Sequence, residues 1–169
     1  RMDSKRLDVW NKWSVAFHGV KSVPVLQSIF EHGGLMKPGD TLLDGTTLAS
    51  TKCAGRQDEV FYTSPTIKYA GLRFYAEPQS WKDSTMQASI AVMCRQKPDT
   101  FDTQPETMGF ERLMPGHLAA NCPGGELGNI EWMSKQKEGA IPYGVLVRTW
   151  PTDSESETDR AIYGSPIDR

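Results

Sequence analysis

Fifteen glycines and eleven prolines are spread along this chain of 169 residues, and that punctuation limits what it can build. Proline removes a backbone donor and clashes inside a helix, and glycine costs about 1 kcal/mol in a helix interior relative to alanine. Long uninterrupted helices are therefore unavailable, and a loop-rich α+β or mainly β domain fits better than a helical bundle. The length suits one domain with a sizeable core and is short for two. Residues 1–150 are expected to form that domain. Residues 151–169 begin PTDSESETDR and read as a polar tail or linker.

Nineteen Lys and Arg against twenty-one Asp and Glu leave a net charge of −2, which supplies no general basic field and counts against nucleic acid as a partner. No apolar run approaches the ~20 residues of a membrane span, so no membrane partner is expected. The opening RMDSKRLDVW has no apolar core of a signal peptide. Cys53, Cys94 and Cys122 are widely spaced without a C-x-x-C pair, which argues against a disulfide framework and against zinc. His18, His32 and His117 share no short ligand spacing, so no metal is expected. Reduced-looking cysteine usage leans the localisation toward the cell interior.

Trp13, Val15 and Phe17 alternate with Ser14, Ala16 and His18. That spacing predicts a half-buried strand with the large groups inward and His18 on the opposite face. Gly19 follows, then a helix with Ser22 as N-cap, Pro24 in its first turn, and an apolar stripe of Val23, Leu26, Ile29 and Phe30 that Gly33 and Gly34 end. The Gly-, Pro- and Thr-rich stretch 35–58 predicts a long excursion holding a short hairpin with its turn at Asp44-Gly45. A strand is expected over 60–63. Ser64 should cap a second helix with Pro65 at its first position, and Ile67, Ala70 and Phe74 should form its stripe before Pro78. Residues 88–95 read as a buried strand, 97–128 as irregular, 130–132 as extended and 143–148 as a last strand. The tryptophans read mostly as core or edge packing.

Three short blocks stand in order along this framework: Phe17-His18-Gly19, Phe61-Tyr62-Thr63-Ser64 and Asn129-Ile130-Glu131-Trp132. Singly, each has an ordinary reading as a strand-end histidine, a core tyrosine or one of 21 acidic residues. Together they resemble the His-Tyr-Glu signature of the ADP-ribosyltransferases of the diphtheria-toxin and poly(ADP-ribose) polymerase type. The Tyr-Thr-Ser-Pro run is superficially similar to an element of the arginine-class toxins, but those use an Arg on the first strand where this chain has His18. The helix ending in Gly33-Gly34, the Ile67-Lys68-Tyr69-Ala70-Gly71 run and Tyr143, twelve residues beyond Glu131, extend the likeness over roughly 15–147.

The resemblance implies an α+β domain of two small packed sheets around a cleft for NAD. NAD would be a co-substrate, with ADP-ribose passing to an acceptor, a protein side chain first, and nicotinamide leaving. Cleavage of the ribose–nicotinamide bond develops an oxocarbenium-like cation, which a carboxylate stabilises. The resemblance gives that role to Glu131, together with a hold on a ribose hydroxyl. It has Tyr62 stack on the cationic nicotinamide, Gly19 admit the carboxamide and His18 bind the ribose on the adenosine side. Tyr69, Phe74 and Tyr75 compete to be the second stacking aromatic. Val20 follows His-Gly where the family usually has Thr or Ser, and Asn129 matches neither acceptor rule seen two residues before the glutamate. The alternatives are an inactive binding module on the same fold, an NAD glycohydrolase, or transfer to nucleic acid.

Overall fold

The computed structural model describes residues 5, 7–49, 60–80, 85–106 and 129–153. Cys53, Cys122, His117, Trp81 and most of the expected tail lie outside the described residues. A single helical turn α1 (Val9–Lys12) leads into β1 (Ser14–Val20), α2 (Val23–His32), β2 (Phe61–Thr63) and a one-turn helix α3 (Ile67–Ala70). Then come β3 (Gln79–Ser80), β4 (Met86–Gln96), β5 (Asp102–Gln104), β6 (Glu131–Ser134), a 3-10 turn (Lys137–Gly139) and β7 (Ala140–Pro151). The class is α+β with few, short helices. No helix among the described residues is long and apolar enough to cross a membrane.

The strands form two antiparallel sheets. In the four-stranded sheet β4 is central: β7 pairs along its whole length on one edge, and β1 and β3 share the other. The register slips between Met93 and Cys94, which face Gly144 and Pro142, so Tyr143 bulges out. Pro142 is tolerated there because a bulge in an edge strand does not need its missing donor. In the three-stranded sheet β6 lies between β2 and β5. One two-residue bridge joins the sheets: Phe17 N–H donates to the Ser64 carbonyl at 2.8 Å, and Ser64 N–H to the Phe17 carbonyl at 2.9 Å.

A shared core fills the space between the sheets and α2. Ala16 and Val20 of β1, Ile29 of α2, Phe61 of β2, Val92 and Cys94 of β4 and Trp132 of β6 all belong to it. Burying each large side chain is worth about 1.5–3 kcal/mol. Burial pushes the Cys94 thiol up to about 12, so it remains protonated and behaves as a small apolar group.

Several sequence expectations are corrected. On β1, Ala16 and Val20 are the core residues and Val15 is 37% exposed, so His18 shares the inward face instead of opposing it. β4 is buried on both of its faces, so the size of a side chain on β1 does not decide which side is the core. The buried stripe of α2 is Val25, Ser28 and Ile29, whereas Val23 and Phe30 are exposed. Ser28 turns inward because its hydroxyl donates to the Pro24 carbonyl and accepts from Leu43 N–H. Ser22 stands at the N-cap without a side-chain cap bond. The second helix has only four residues and is capped by Thr66, whose hydroxyl accepts from Lys68 N–H, while the Ser64 hydroxyl accepts from Thr66 N–H ahead of the helix. Residues 102–104, expected to be irregular, form β5. β7 reaches Pro151, one residue past the expected boundary. Trp13, Trp132 and Trp150 are buried, but Trp10 is 53% exposed, lying beneath the Arg95 guanidinium and edge-on to Tyr143.

The hairpin in the excursion takes its expected turn. Thr41 bridges Thr47, Gly45 sits at φ +83°, and Asp44 Oδ1 accepts from both the amide and hydroxyl of Thr46. A side chain at position 45 would strain this left-handed backbone. An Asp40–Lys137 ion pair at 2.6 Å ties the excursion to the turn before β7.

Candidate functional site

The bridge at Phe17 and Ser64 joins the two sheets, and a cleft opens beside it. His18, Gly19, Tyr62, Tyr69, Tyr75 and Glu131 all line this one cleft, with Phe74 and Lys21. Its cavity volume of about 160 Å³ is an order of magnitude above what a single water needs, so it is of ligand size. The residues that sequence reasoning selected are therefore neighbours in space.

His18 is aimed by the end of β1. Its Nδ1 lies 2.7 Å from the Tyr62 carbonyl oxygen. A carbonyl only accepts, so Nδ1 carries the proton and Nε2 is the remaining acceptor of a neutral ring. Desolvation holds the imidazole below its usual pKa, against the opposing pull of the Tyr62 carbonyl. This bond also links β1 of one sheet to β2 of the other, which places the His18 ring and the half-buried Tyr62 on adjoining walls.

Gly19, which lines the cleft, also makes room for the protein's own backbone. A Cβ there would come within 2.4 Å of the Ala70 carbonyl and 2.6 Å of the Tyr75 backbone. The missing side chain is thus the space into which the segment after α3 packs. That segment turns sharply: Leu72 N–H donates to the Tyr69 carbonyl, and the amides of Tyr75 and Ala76 both donate to the Leu72 carbonyl. Fully buried Leu72 anchors it, and the two tyrosines emerge on either side, ring centroids 5.1 Å apart.

Both phenols converge on Glu131. Tyr69 Oη donates to Oε1 at 2.5 Å, and Tyr75 Oη lies 3.1 Å from the same oxygen and 2.7 Å from Tyr69 Oη. Two hydroxyl protons serve three contacts, so the shorter pair carries them best, Tyr75 to Tyr69 and Tyr69 to Glu131. Burial first, and then the acidic neighbours, hold both phenols well above their usual pKa and keep them as donors. The other oxygen, Oε2, accepts from Gln104 Nε2 at 2.6 Å. Glu131 is 3% exposed. A carboxylate this buried is costly unless hydrogen-bonded, and these donors offset that cost while fixing its direction.

Two contributors were missed in the sequence. Gln104 sits in the stretch read as irregular, and only the pairing of β5 with β6 brings it opposite Glu131. Lys21, just after β1, places Nζ 5.1 Å from the Phe74 ring centroid and gives the cleft a cationic rim. All three aromatics that competed in sequence, Tyr69, Phe74 and Tyr75, line the cleft; Tyr69 and Tyr75 differ from Phe74 in joining the hydrogen-bond chain that ends on Glu131. Asn129 accepts from the Thr103 hydroxyl and, through its carbonyl, from the Trp132 indole, which steadies the entry to β6. Among the described residues no cluster of three or more His, Cys, Asp or Glu could hold a metal ion.

Among the described residues, the arrangement brings a buried, oriented carboxylate, flat aromatic faces, a neutral imidazole and the Lys21 cation to the same ligand-sized opening. Comparison with protein-family models, curated proteins and solved structures finds no match to the chain.

Proposed function

We propose that this domain is an NAD-dependent ADP-ribosyltransferase, with its two sheets arranged as the split core of that fold class. The observation that carries this reading is the Glu131 carboxylate, buried and oriented, on the same cleft as His18 and Tyr62. The bond between ribose C1′ and the nicotinamide nitrogen breaks, and its electron pair leaves with neutral nicotinamide. Positive charge grows on the ribose, where Glu131 stabilises it. The acceptor, in this reading a protein side chain, forms the new bond to C1′ and gives up its proton. Tyr62 supplies an aromatic face for the nicotinamide cation before it leaves. His18 Nε2, as an acceptor, suits a ribose hydroxyl on the adenosine side.

The test uses NAD labelled in nicotinamide and in ADP-ribose. Wild-type protein should release nicotinamide and pass label to protein, while Glu131→Gln should lower release by on the order of 10²- to 10³-fold. The variant should remain folded by circular dichroism, although an amide facing these donors costs about 1–3 kcal/mol. Unchanged release in the variant would remove Glu131 from the mechanism. Nicotinamide release without label transfer would instead mark water as the acceptor.

One observation favours a second reading. Both oxygens of Glu131 already hold protein donors, which leaves less of the carboxylate open to a ribose hydroxyl, and Val20 departs from the family pattern. A binding module that holds NAD or ADP-ribose without cleaving it would show saturable binding and no nicotinamide release in the same assay.

A further inference from the structure

We infer that Gln104 is a positioning residue for Glu131: from a neighbouring strand, its side-chain amide sets the plane of the carboxylate in the cleft. The inference rests on Glu131 being the reacting carboxylate. Gln104 stands directly opposite Glu131 in the β5–β6 register, with Nε2 2.6 Å from Oε2. An ionised carboxylate only accepts, so the glutamine must turn its NH₂ toward it.

The tyrosines hold Oε1 from the α3 side while Gln104 holds Oε2 from β5. The terminal torsion of glutamate is soft and roughly two-fold, so little in the side chain itself fixes the carboxylate plane. Donors on two separate elements do so, because rotation that keeps one contact breaks the other. At 3% exposure, water cannot readily replace a lost donor. Gln104 does not line the cleft and so acts through Glu131. The carbonyl group of Gln104, unlike its NH₂, would repel the carboxylate, so the glutamine orients the site in only one of its two amide flips.

Two variants and two readouts test this. Gln104→Ala should lower kcat for nicotinamide release by about 10- to 100-fold while the KM for NAD changes little, the split expected when orientation and not binding is lost. Gln104→Glu sets two carboxyl groups within hydrogen-bonding distance, and such a pair shares one proton. While it holds that proton, Glu at 104 donates as the amide did. The variant should therefore be active at acid pH and lose activity as the pH rises, a rescue that a merely structural side chain would not produce. His18 on β1, Tyr69 in α3, Tyr75 after it and Glu106 beyond β5 also face this region, and the wild-type profile measured in parallel accounts for them.

Carboxyl ¹³C spectra of the labelled glutamates read the shared proton without turnover. Wild-type turnover with an unaffected Gln104→Ala, or a wild-type pH profile in Gln104→Glu, overturns the positioning role. A wild type that releases no nicotinamide defeats the transferase reading instead. The spectra then judge Gln104 alone: a coupled titration in Gln104→Glu supports the contact, and two independent carboxyls refute it. Should Gln104→Ala fold poorly, Gln104→Asn keeps the amide, shortens its reach, and should show the same fall in kcat.

Discussion

In the four-stranded sheet, β4 and β7 run side by side for eleven and twelve residues, and the interior of β4 is almost wholly apolar. In the three-stranded sheet, β2, β5 and β6 span three, three and four residues, yet they supply Tyr62, Gln104 and Glu131. A sheet so short is marginal on its own. It persists because Phe61 and Trp132 enter the common core, Phe101 stacks on Trp132 with centroids 4.4 Å apart, and Ser64 is bridged to β1. The difference teaches that long, well-paired strands supply a platform on which short strands can carry most of the site, and both sheets bury polar groups, Gln96 on β4 as well as Glu131 on β6. Core and site residues nonetheless alternate along shared strands, Phe61 with Tyr62 on β2 and Trp132 with Glu131 on β6, and the two sheets meet at the seam of Phe17 and Ser64.

That contrast can be broken by substitutions that should affect one side alone. The largest effect on stability is expected from Ile29→Ala, on the helix packed against the large sheet and fully buried. It should cost about 2–5 kcal/mol in urea unfolding, yet leave nicotinamide release near wild type well below the melting temperature. Comparable loss of both would mean the site is not separable from the platform. Next is Gly19→Ala, at the seam. Its Cβ meets the Ala70 carbonyl at 2.4 Å, so about 1–3 kcal/mol of overpacking is expected. Here activity should fall together with stability, because the segment that yields carries Tyr75. A stable variant with full activity would show that this segment can move without consequence.

The smallest effect sharpens the comparison through pH. The folded protein favours the neutral His18 ring, while the unfolded chain protonates near 6.5. Stability from this group is therefore present above pH 6.5 and is lost as the pH falls below it. The slope is at most about 1.4 kcal/mol per pH unit for one group. His18→Gln should flatten that part of the stability profile relative to wild type, and identical profiles would show that the ring does not stay neutral on folding.

Much of this framework was legible in the sequence because it rests on local signals. The alternation in β1, the apolar run of β4, the Gly33 stop at φ 67° and the Asp44-Gly45 turn each have a physical cause within a few residues. The gathering of His18, Tyr62 and Glu131 was legible only through a family likeness, since no spacing brings residues so far apart together. What stayed hidden depends on partners. Asp102, Thr103 and Gln104 carry no apolar alternation and become a strand only by pairing with β6. Ser28 faces the core because Leu43, fifteen residues on, satisfies it. Ala16 rather than Phe17 points inward because β4, not side-chain size, determines which face of β1 meets the core.

The seam at Phe17 and Ser64 also governs how this opening can vary in length and shape. His18 and Tyr62 are locked to one another across it, so an inserted residue between them and the bridge would pull that wall apart. The run from Pro65 to Ala76 hangs from the far side of Ser64 and reaches the carboxylate through two phenol tips. That run is itself anchored by fully buried Leu72 and Ala76, so a change of length on either side of Ser64 would shift a group that lines the opening.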